Sequence, residues 1–369
     1  MTGHVVCGDS REVLRQLDSN SLDGCACDPP YALVSISKRF GAGNAAPAKV
    51  GASGAYARAS AGFMGQQWDT GETAFDPGFW AEVLRVLKPG AHIVAFGGTR
   101  TYHRLVCAIE DAGFEIRDQL AWIYGSGFPK SHNQRGTWDG WGSALKPAFE
   151  PIVLARKPLD GTLAQNLRRW GVGALHIDAC RVGIGDGGAR AGEPSAGRRY
   201  DHQGSTNFAA TPRPRGGDAR GRWPANVLHD GSDEVVVAFP TAPGQQARVT
   251  GDEPTANGFS GAVAYSGMLA RVPSASPRSD QGGSASRFFY CAKASKAERM
   301  GSGHPTVKPI AVMRWLCRLI APPGALILDP FAGSGTTGVA ALAEGQRPFL
   351  IEREARFCVD IDRRLRAAA

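Results

Sequence analysis

The sequence predicts an α/β fold with a mostly parallel sheet, assembled from both ends of the chain. Three observations lead there. The chain opens as strand, helix, strand, and both strands end in an acid, Asp9 and Asp28. That order points to a parallel sheet. Near the other end, the apolar run Ala325-Leu326-Ile327-Leu328 passes through Gly333-Ser334-Gly335-Thr336-Thr337-Gly338 into a helix, and the next run, Phe349-Leu350-Ile351, ends in Glu352. Only 34 residues follow Gly335, too few to complete a sheet, so the missing strands must come from the N-terminal end.

The elements follow in order. Val5 to Asp9 is a short strand, Ser10 caps a helix from Arg11 to Leu17, and Leu22 to Cys27 forms the second strand. Residues 32–67 are loop-like, with Gly, Ala and Ser interspersed with Lys38, Arg39, Lys49 and Arg58. Asp76 to Lys88 has apolar residues at helical spacing, and Pro89-Gly90 reads as its stop. Ala91 to Phe96 is a buried strand, Tyr102 to Ala112 a helix, Phe114 to Tyr124 a longer strand and Pro151 to Ala155 another. From Gly183 to Arg222 seven arginines stand against four acids with no helical or strand period, which reads as a basic, loop-rich insertion suited to DNA. Ile310 to Ile320 is an amphipathic helix ended by Pro322-Pro323-Gly324. The expected division is an N-terminal part over 1–160, an inserted recognition region over 161–286 and a C-terminal part over 287–369.

Composition narrows the class. Net charge is +8, from 42 basic and 34 acidic residues, a mild excess that favours a polyanionic partner. The eight cysteines are scattered with no C-x-x-C, and are expected to be reduced and buried in a cytoplasmic protein. Met1-Thr2-Gly3-His4 does not read as a secretion signal, and no apolar run has membrane-spanning length. No His/Cys cluster has metal-ligand spacing, so no metal is expected.

Two motifs carry chemistry. Gly333 to Gly338 matches G-x-G-x-x-G, with an acid nineteen residues beyond Gly333. Its glycines let backbone approach a ligand closely, and Glu352 can accept from ribose hydroxyls. A dehydrogenase is one reading; the place of the motif at the end of the chain argues against it. The second motif is Asp28-Pro29-Pro30-Tyr31 at a strand end. The prolines stiffen the turn and remove donors, leaving a carboxylate and carbonyl acceptors beside an aromatic face. That arrangement suits a planar base with an exocyclic amine.

Taken together, Gly8-Asp9, Asp28-Pro29-Pro30-Tyr31, Leu87-Lys88-Pro89-Gly90, His304-Pro305-Thr306-Val307-Lys308-Pro309, Asp329-Pro330-Phe331-Ala332-Gly333-Ser334-Gly335-Thr336 and Glu352 resemble, in order, the beta class of S-adenosylmethionine-dependent DNA amino-methyltransferases. In that class the catalytic motif precedes the cofactor motif. Gly125 to Pro129, Phe149 to Lys157 and Gly221 to Leu228 resemble phage- or prophage-type members. The resemblance implies a Rossmann-like methyltransferase fold, a seven-stranded sheet with helices on both faces, and S-adenosylmethionine as cofactor. It implies Asp28, Pro29, Pro30 and Tyr31 as catalytic residues. It gives the cofactor site as Phe331 on the adenine region, Gly333, Ser334, Gly335 and Thr336 around the amino-acid portion, Asp9 at the adenine amine, Glu352 at the ribose, with Asp329, Thr306 and Lys308 beside them. Double-stranded DNA is the implied partner, and the class allows a homodimer and a cognate restriction endonuclease. Aspartate at position 28 points to adenine N6, since cytosine-N4 members of the class usually carry serine there; cytosine N4 is the alternative. A catalytically idle DNA-binding protein is the reading from another class.

Overall fold

The computed structural model describes residues 4–31, 73–127, 131–183, 221–242, 283–292 and 307–368. The expected basic loop over 32–67, nearly all of the basic stretch from Gly183 to Arg222, and His304 to Thr306 lie outside them.

The strands are β1 (His4–Cys7), β2 (Leu22–Cys27), β3 (Leu87–Phe96), β4 (Glu115–Ile123), β5 (Phe149–Arg156), β6 (Val227–His229), β7 (Thr241–Ala242), β8 (Gly283–Ser284), β9 (Tyr290–Cys291), β10 (Leu326–Asp329) and β11 (Arg347–Glu352). The helices are α1 (Ser10–Arg15), α2 (Pro77–Val86), α3 (Tyr102–Asp111), α4 (Leu163–Trp170), α5 (Asp233–Ala238), α6 (Ile310–Ile320), α7 (Thr336–Ala343) and α8 (Ala355–Ala368).

One sheet runs β1-β11-β10-β2-β3-β5-β4-β6-β9. Every pair in it is parallel except those of β5, which lies antiparallel between β3 and β4. The N-terminal and C-terminal strands therefore meet in one sheet, as expected: β10 pairs with β2. The order places β10 and β2 third and fourth, where the strand order reverses and leaves a crevice at the carboxyl edge of an open α/β sheet.

Side-chain alternation builds a core on each face. Ala26, Val94, Phe96, Ile152 and Leu154 join α6 residues such as Trp315 and Leu316 in one cluster. Cys25, Cys27, Ile93, Ala95, Val153 and Ala155 join Leu14, Phe79, Trp80 and Leu105 in the other. This period of two along strands buried on both sides is what a sheet sandwiched by helices demands. Trp80 and Trp122 are core residues, and Trp80 Nε1 donates to the Ala74 carbonyl at 2.9 Å. None of the eight cysteines is in a disulfide; Cys7, Cys107 and Cys291 are exposed, the other five buried.

Three features depart from the expected elements. The sheet has nine strands, because β6 and β9 extend it beyond β4; at three and two residues they are too short to show an alternating pattern. Pro89-Gly90 lies inside β3, which starts at Leu87, directly after α2. Gly90 takes φ +80°, Asn166 Nδ2 donates to the Pro89 carbonyl at 2.9 Å, and Gly90 N donates to the Lys157 carbonyl at 3.1 Å. The turn is thus absorbed into the sheet margin. Helix α4, capped by Thr162 and Gln165 in a reciprocal capping box, and the C-terminal helix α8 complete the set.

By contact the chain forms two compact units. The first comprises 1–180, 225–235 and 290–369 and holds the whole nine-stranded sheet; the second comprises 181–224 and 236–289. The expected boundaries at 160/161 and 286/287 compare with 180/181 and 289/290, and α4 falls in the first unit. Within the second unit β7 pairs with β8, and Arg181 stands over Trp223 at 5.3 Å. Arg222 and Arg287 lie 4.9 and 4.3 Å from the Phe288 ring centre. Among the described residues no helix is long and apolar enough to cross a membrane.

Candidate active site

β2 delivers Asp28 to the carboxyl edge of the sheet, and its neighbour β10 delivers Asp329 to the same edge. β5 runs the other way, so its first residues arrive there too, and they include Glu150. Lys308, just ahead of α6, reaches into this corner.

Four side chains converge. Lys308 Nζ lies 3.1 Å from Asp28 Oδ2 and 2.7 Å from Glu150 Oε2, and donates to the Tyr31 hydroxyl at 2.8 Å. The Tyr31 hydroxyl in turn donates to Glu150 Oε2 at 3.0 Å. The ammonium also sits 4.7 Å from the Phe96 ring centre and 5.1 Å from that of Tyr31, a cation–π environment that favours the charged form. Burial pushes the Asp28 carboxyl up; Lys308 pulls it down and Glu150 adds to the rise. Burial lowers the Lys308 ammonium, but the two carboxylates more than reverse that and leave it raised. Burial raises the Tyr31 phenol well above its usual range, with Asp28 and Glu150 adding to it, so the hydroxyl stays a donor.

Asp28 is held asymmetrically. Oδ2 is engaged by Lys308, whereas Oδ1 is buried and has no hydrogen-bond partner. A buried acceptor without a partner is costly and calls for an account. Backbone around the motif is fixed as well. Pro29 is buried, and Thr101 Oγ1 donates to the Tyr31 carbonyl at 2.8 Å. Gly98 leaves only the room Tyr31 needs: a β-carbon there would stand 3.1 Å from Tyr31 Cβ.

The glycine turn is built on the neighbouring strand. Gly333 and Gly335 take φ +49° and +75°, the left-handed region that favours glycine. Gly333 N donates to Glu352 Oε2 at 2.7 Å and Glu354 N to Glu352 Oε1 at 2.8 Å, so the acid at the end of β11 braces the turn. Ser334 and Thr336 are buried, their hydroxyls bonded to each other at 2.9 Å, and the fully buried Arg364 of α8 donates to the Ser334 carbonyl and to Thr336 Oγ1. These two side chains therefore face the protein, and only the backbone of the turn is left to face a ligand. Phe331 packs against Phe79 with ring centres 5.1 Å apart.

Asp329 is almost wholly buried. Thr337 Oγ1 donates to its Oδ2 at 2.5 Å and Phe331 N to its Oδ1 at 2.9 Å. Burial nevertheless pushes the carboxyl up to about 7, with Asp28 and Glu352 adding to the rise. Its ordinary value lies near 3.8, so in the interval between, the folded state holds a proton that the unfolded chain has lost. Stability from this group is present below about pH 4 and is lost as pH rises through 7, by roughly 4 kcal/mol at most. Asp329→Asn is expected to narrow the difference in urea stability between pH 5 and pH 8; an unchanged difference overturns that assignment.

The structure thus brings Asp28, Pro29, Pro30, Tyr31 and Lys308 to one corner, with Asp329, Phe331 and the glycine turn on the adjoining strand. Asp9 stands apart from Asp28. It follows β1, which β11 and β10 separate from β2, and its Oδ1 accepts from Arg11 N at 2.9 Å as the cap of α1. Asp9 instead adjoins the Glu352 end of β11, since Gly8 N donates to the Glu352 carbonyl at 2.9 Å. Thr306 lies outside the described residues. Sequence reasoning missed Glu150 and Arg364. For Glu150 the signal is an acid at the mouth of an otherwise apolar strand; for Arg364 it is a basic residue in the apolar stripe Phe357, Ile361, Leu365 of α8.

Comparison with known proteins gives the family of the chain. Type II methyltransferase M.HindIII of Haemophilus influenzae is 31% identical over 192 residues, covering 45% of this chain and 62% of that protein. DNA adenine methyltransferase YhdJ of Escherichia coli K12 is 47% identical over 49 residues, covering 13% of this chain and 17% of that protein. The chain thus spans less than two thirds of either relative. Among solved structures, the M1.HpyAVI–SAM complex aligns at 13% identity and a TM-score of 0.42, covering 98% of each chain. PvuII DNA methyltransferase (cytosine-N4-specific) aligns at 13% identity and 0.41, covering 100% of this chain and 94% of the other. A family model described as DNA methylase matches residues 22–363 of the 369. The chain belongs to the DNA methylase family.

Proposed function

We propose that this protein transfers a methyl group from S-adenosylmethionine to the N6 amine of adenine in double-stranded DNA. The observation that carries the reading is Asp28 Oδ1, a buried acceptor with no partner, aimed by a carboxylate whose other oxygen is pinned by Lys308. An exocyclic amine is a poor nucleophile because its lone pair is delocalised into the ring. Asp28 Oδ1 and the Pro29 carbonyl accept its two hydrogens and favour a pyramidal nitrogen with a directed lone pair. Positioning and electrostatics supply the catalysis. Tyr31, fixed at its hydroxyl and its carbonyl, offers its ring to the extruded base. Flipping that base costs a few kcal/mol, and stacking returns about 1–3 kcal/mol.

The glycine turn fits the cofactor. Gly333 is only half-buried and carries no side chain, Phe331 presents an aromatic ring beside it, and Asp329 is an acid that a cationic ligand would relieve. When bound there, S-adenosylmethionine supplies an electrophilic methyl on a sulfonium. Phe331 and the backbone of Gly333 to Thr336 would hold it. Asp9 and Glu352, adjoining at the β1–β11 end, would meet the adenosine part. Aspartate at position 28 favours adenine; the family covers cytosine N4 as well.

The test is incubation of the protein with labelled S-adenosylmethionine and unmethylated genomic DNA, followed by mass spectrometry of the nucleosides. N6-methyladenine is expected. N4-methylcytosine overturns the choice of base, and label only in RNA or protein overturns the choice of substrate. A homodimer and a cognate restriction endonuclease belong to the same proposal, with sedimentation and neighbouring genes as their tests.

A further inference from the structure

We infer that the loop between β4 and β5 is an aromatic wedge that enters the DNA, with Trp138 and Trp141 stacking on bases close to the target nucleotide. This rests on the reading that the protein acts on DNA. The loop leaves the sheet at Ile123 and returns at Phe149, a paired position one residue before Glu150, so it rises from the edge that carries Asp28. It is built rather than loose. Ser143 N donates to Ser131 Oγ at 3.0 Å, His132 N to Ser143 Oγ at 2.8 Å and Gln134 N to the Trp141 carbonyl at 2.8 Å, which ties its two arms together. Two overlapping tight turns form the tip: Asp139 N donates to the Gly136 carbonyl and Trp141 N to the Trp138 carbonyl, both at 3.0 Å.

On that tip the two indoles stand at 89° with centres 5.6 Å apart, 58% and 64% exposed. A braced tip that holds two tryptophans in water, where burial would be favourable, marks a contact surface. Charge selects the occupant. From Phe128 to Ala148 the sequence has Lys130, Arg135 and Lys146 against Asp139 alone, a net positive stretch of chain in which Lys146 pairs with Glu234 at 3.3 Å. Flat π-faces within a polyanion meet both features, and aromatic stacking tolerates any base sequence. Wedges of this kind also lower the cost of unstacking the step beside a flipped nucleotide.

The experiment uses the full-length protein, sheared unmethylated genomic DNA as probe, and the variants W138A/W141A and W138F/W141F. Duplex affinity is expected to fall at least tenfold in the alanine variant and to recover most of the way in the phenylalanine variant. The slope of affinity against salt should stay unchanged, because phosphate contacts are untouched. Binding of S-adenosylmethionine should match wild type, which reports that the fold is intact. DNA affinity equal to wild type in the alanine variant overturns the wedge. So does a wild-type dimer that the alanine variant dissociates, since the rings would then meet a second copy. Failure of the wild type to methylate any DNA instead defeats the functional reading itself.

Discussion

Asp28→Ala is expected to lower methyl transfer by roughly 10³-fold or more while leaving S-adenosylmethionine binding within a factor of two. The magnitude follows from loss of a preorganised acceptor aimed at the reacting nitrogen, an effect commonly of 10²–10³, together with loss of the group that orients it. Binding of cofactor is spared because the glycine turn is braced from elsewhere, by Glu352 and Arg364. The sharper test is Asp28→Asn, which keeps size and shape. Lys308 offers only donors, so the amide oxygen must face it at the Oδ2 position. The amide NH₂ then occupies the Oδ1 position and points donors at an amine that is itself a donor. The asparagine variant is therefore expected to be as inactive as alanine. Single-turnover transfer of labelled methyl and calorimetric binding of S-adenosylmethionine measure the two quantities. An asparagine variant within tenfold of wild type would mean that Oδ1 is not the acceptor.

The parts of this site legible in the sequence were those written into the local chain. Asp28-Pro29-Pro30-Tyr31 and the Gly333 to Gly338 turn each follow an apolar strand, and both declare their backbone through Pro and Gly. Their meeting was legible too, by arithmetic, because a sheet cannot be finished with the residues left after Gly335. What the sequence did not show is set by pairing across the sheet. Glu150 reaches Lys308 only because β5 runs antiparallel, and nothing within Phe149 to Arg156 announces its direction. The distance between Asp9 and Asp28 was hidden for the same reason. Both end strands, but strand order is a tertiary fact, and β11 and β10 come between. Lys308, expected beside the cofactor by its place in a motif, is set by the fold against the Asp28 and Glu150 carboxylates.

That placement carries the second large effect. Replacing Lys308 with Met removes the one cation shared by two carboxylates, Asp28 and Glu150, whose side chains are only 24% and 21% exposed. Breaking a largely buried ion pair from one side typically costs 3–5 kcal/mol, because the remaining charge is left without a partner. Here two like charges remain in one corner, and with Lys308 gone only the Tyr31 hydroxyl offsets the burial and mutual repulsion that already raise Asp28. The cost must therefore depend on pH. The Asp28 carboxyl, already raised in the folded protein, would be raised further in the variant, so stability is retained near pH 4–5, where it can take up a proton. It is lost as pH rises through the elevated value. Guanidinium unfolding is expected to show a deficit of roughly 3 kcal/mol at pH 8 and a clearly smaller one at pH 5. Adding Glu150→Gln to Lys308→Met removes the second charge and should return part of the pH 8 deficit, whereas Glu150→Gln alone in the wild-type background should destabilise. This opposite sign in the two backgrounds is the signature of a shared ammonium. Equal deficits at the two pH values, or a double variant less stable than Lys308→Met alone, would show that Lys308 acts here through its packing on Phe96 and Tyr31 rather than through its charge.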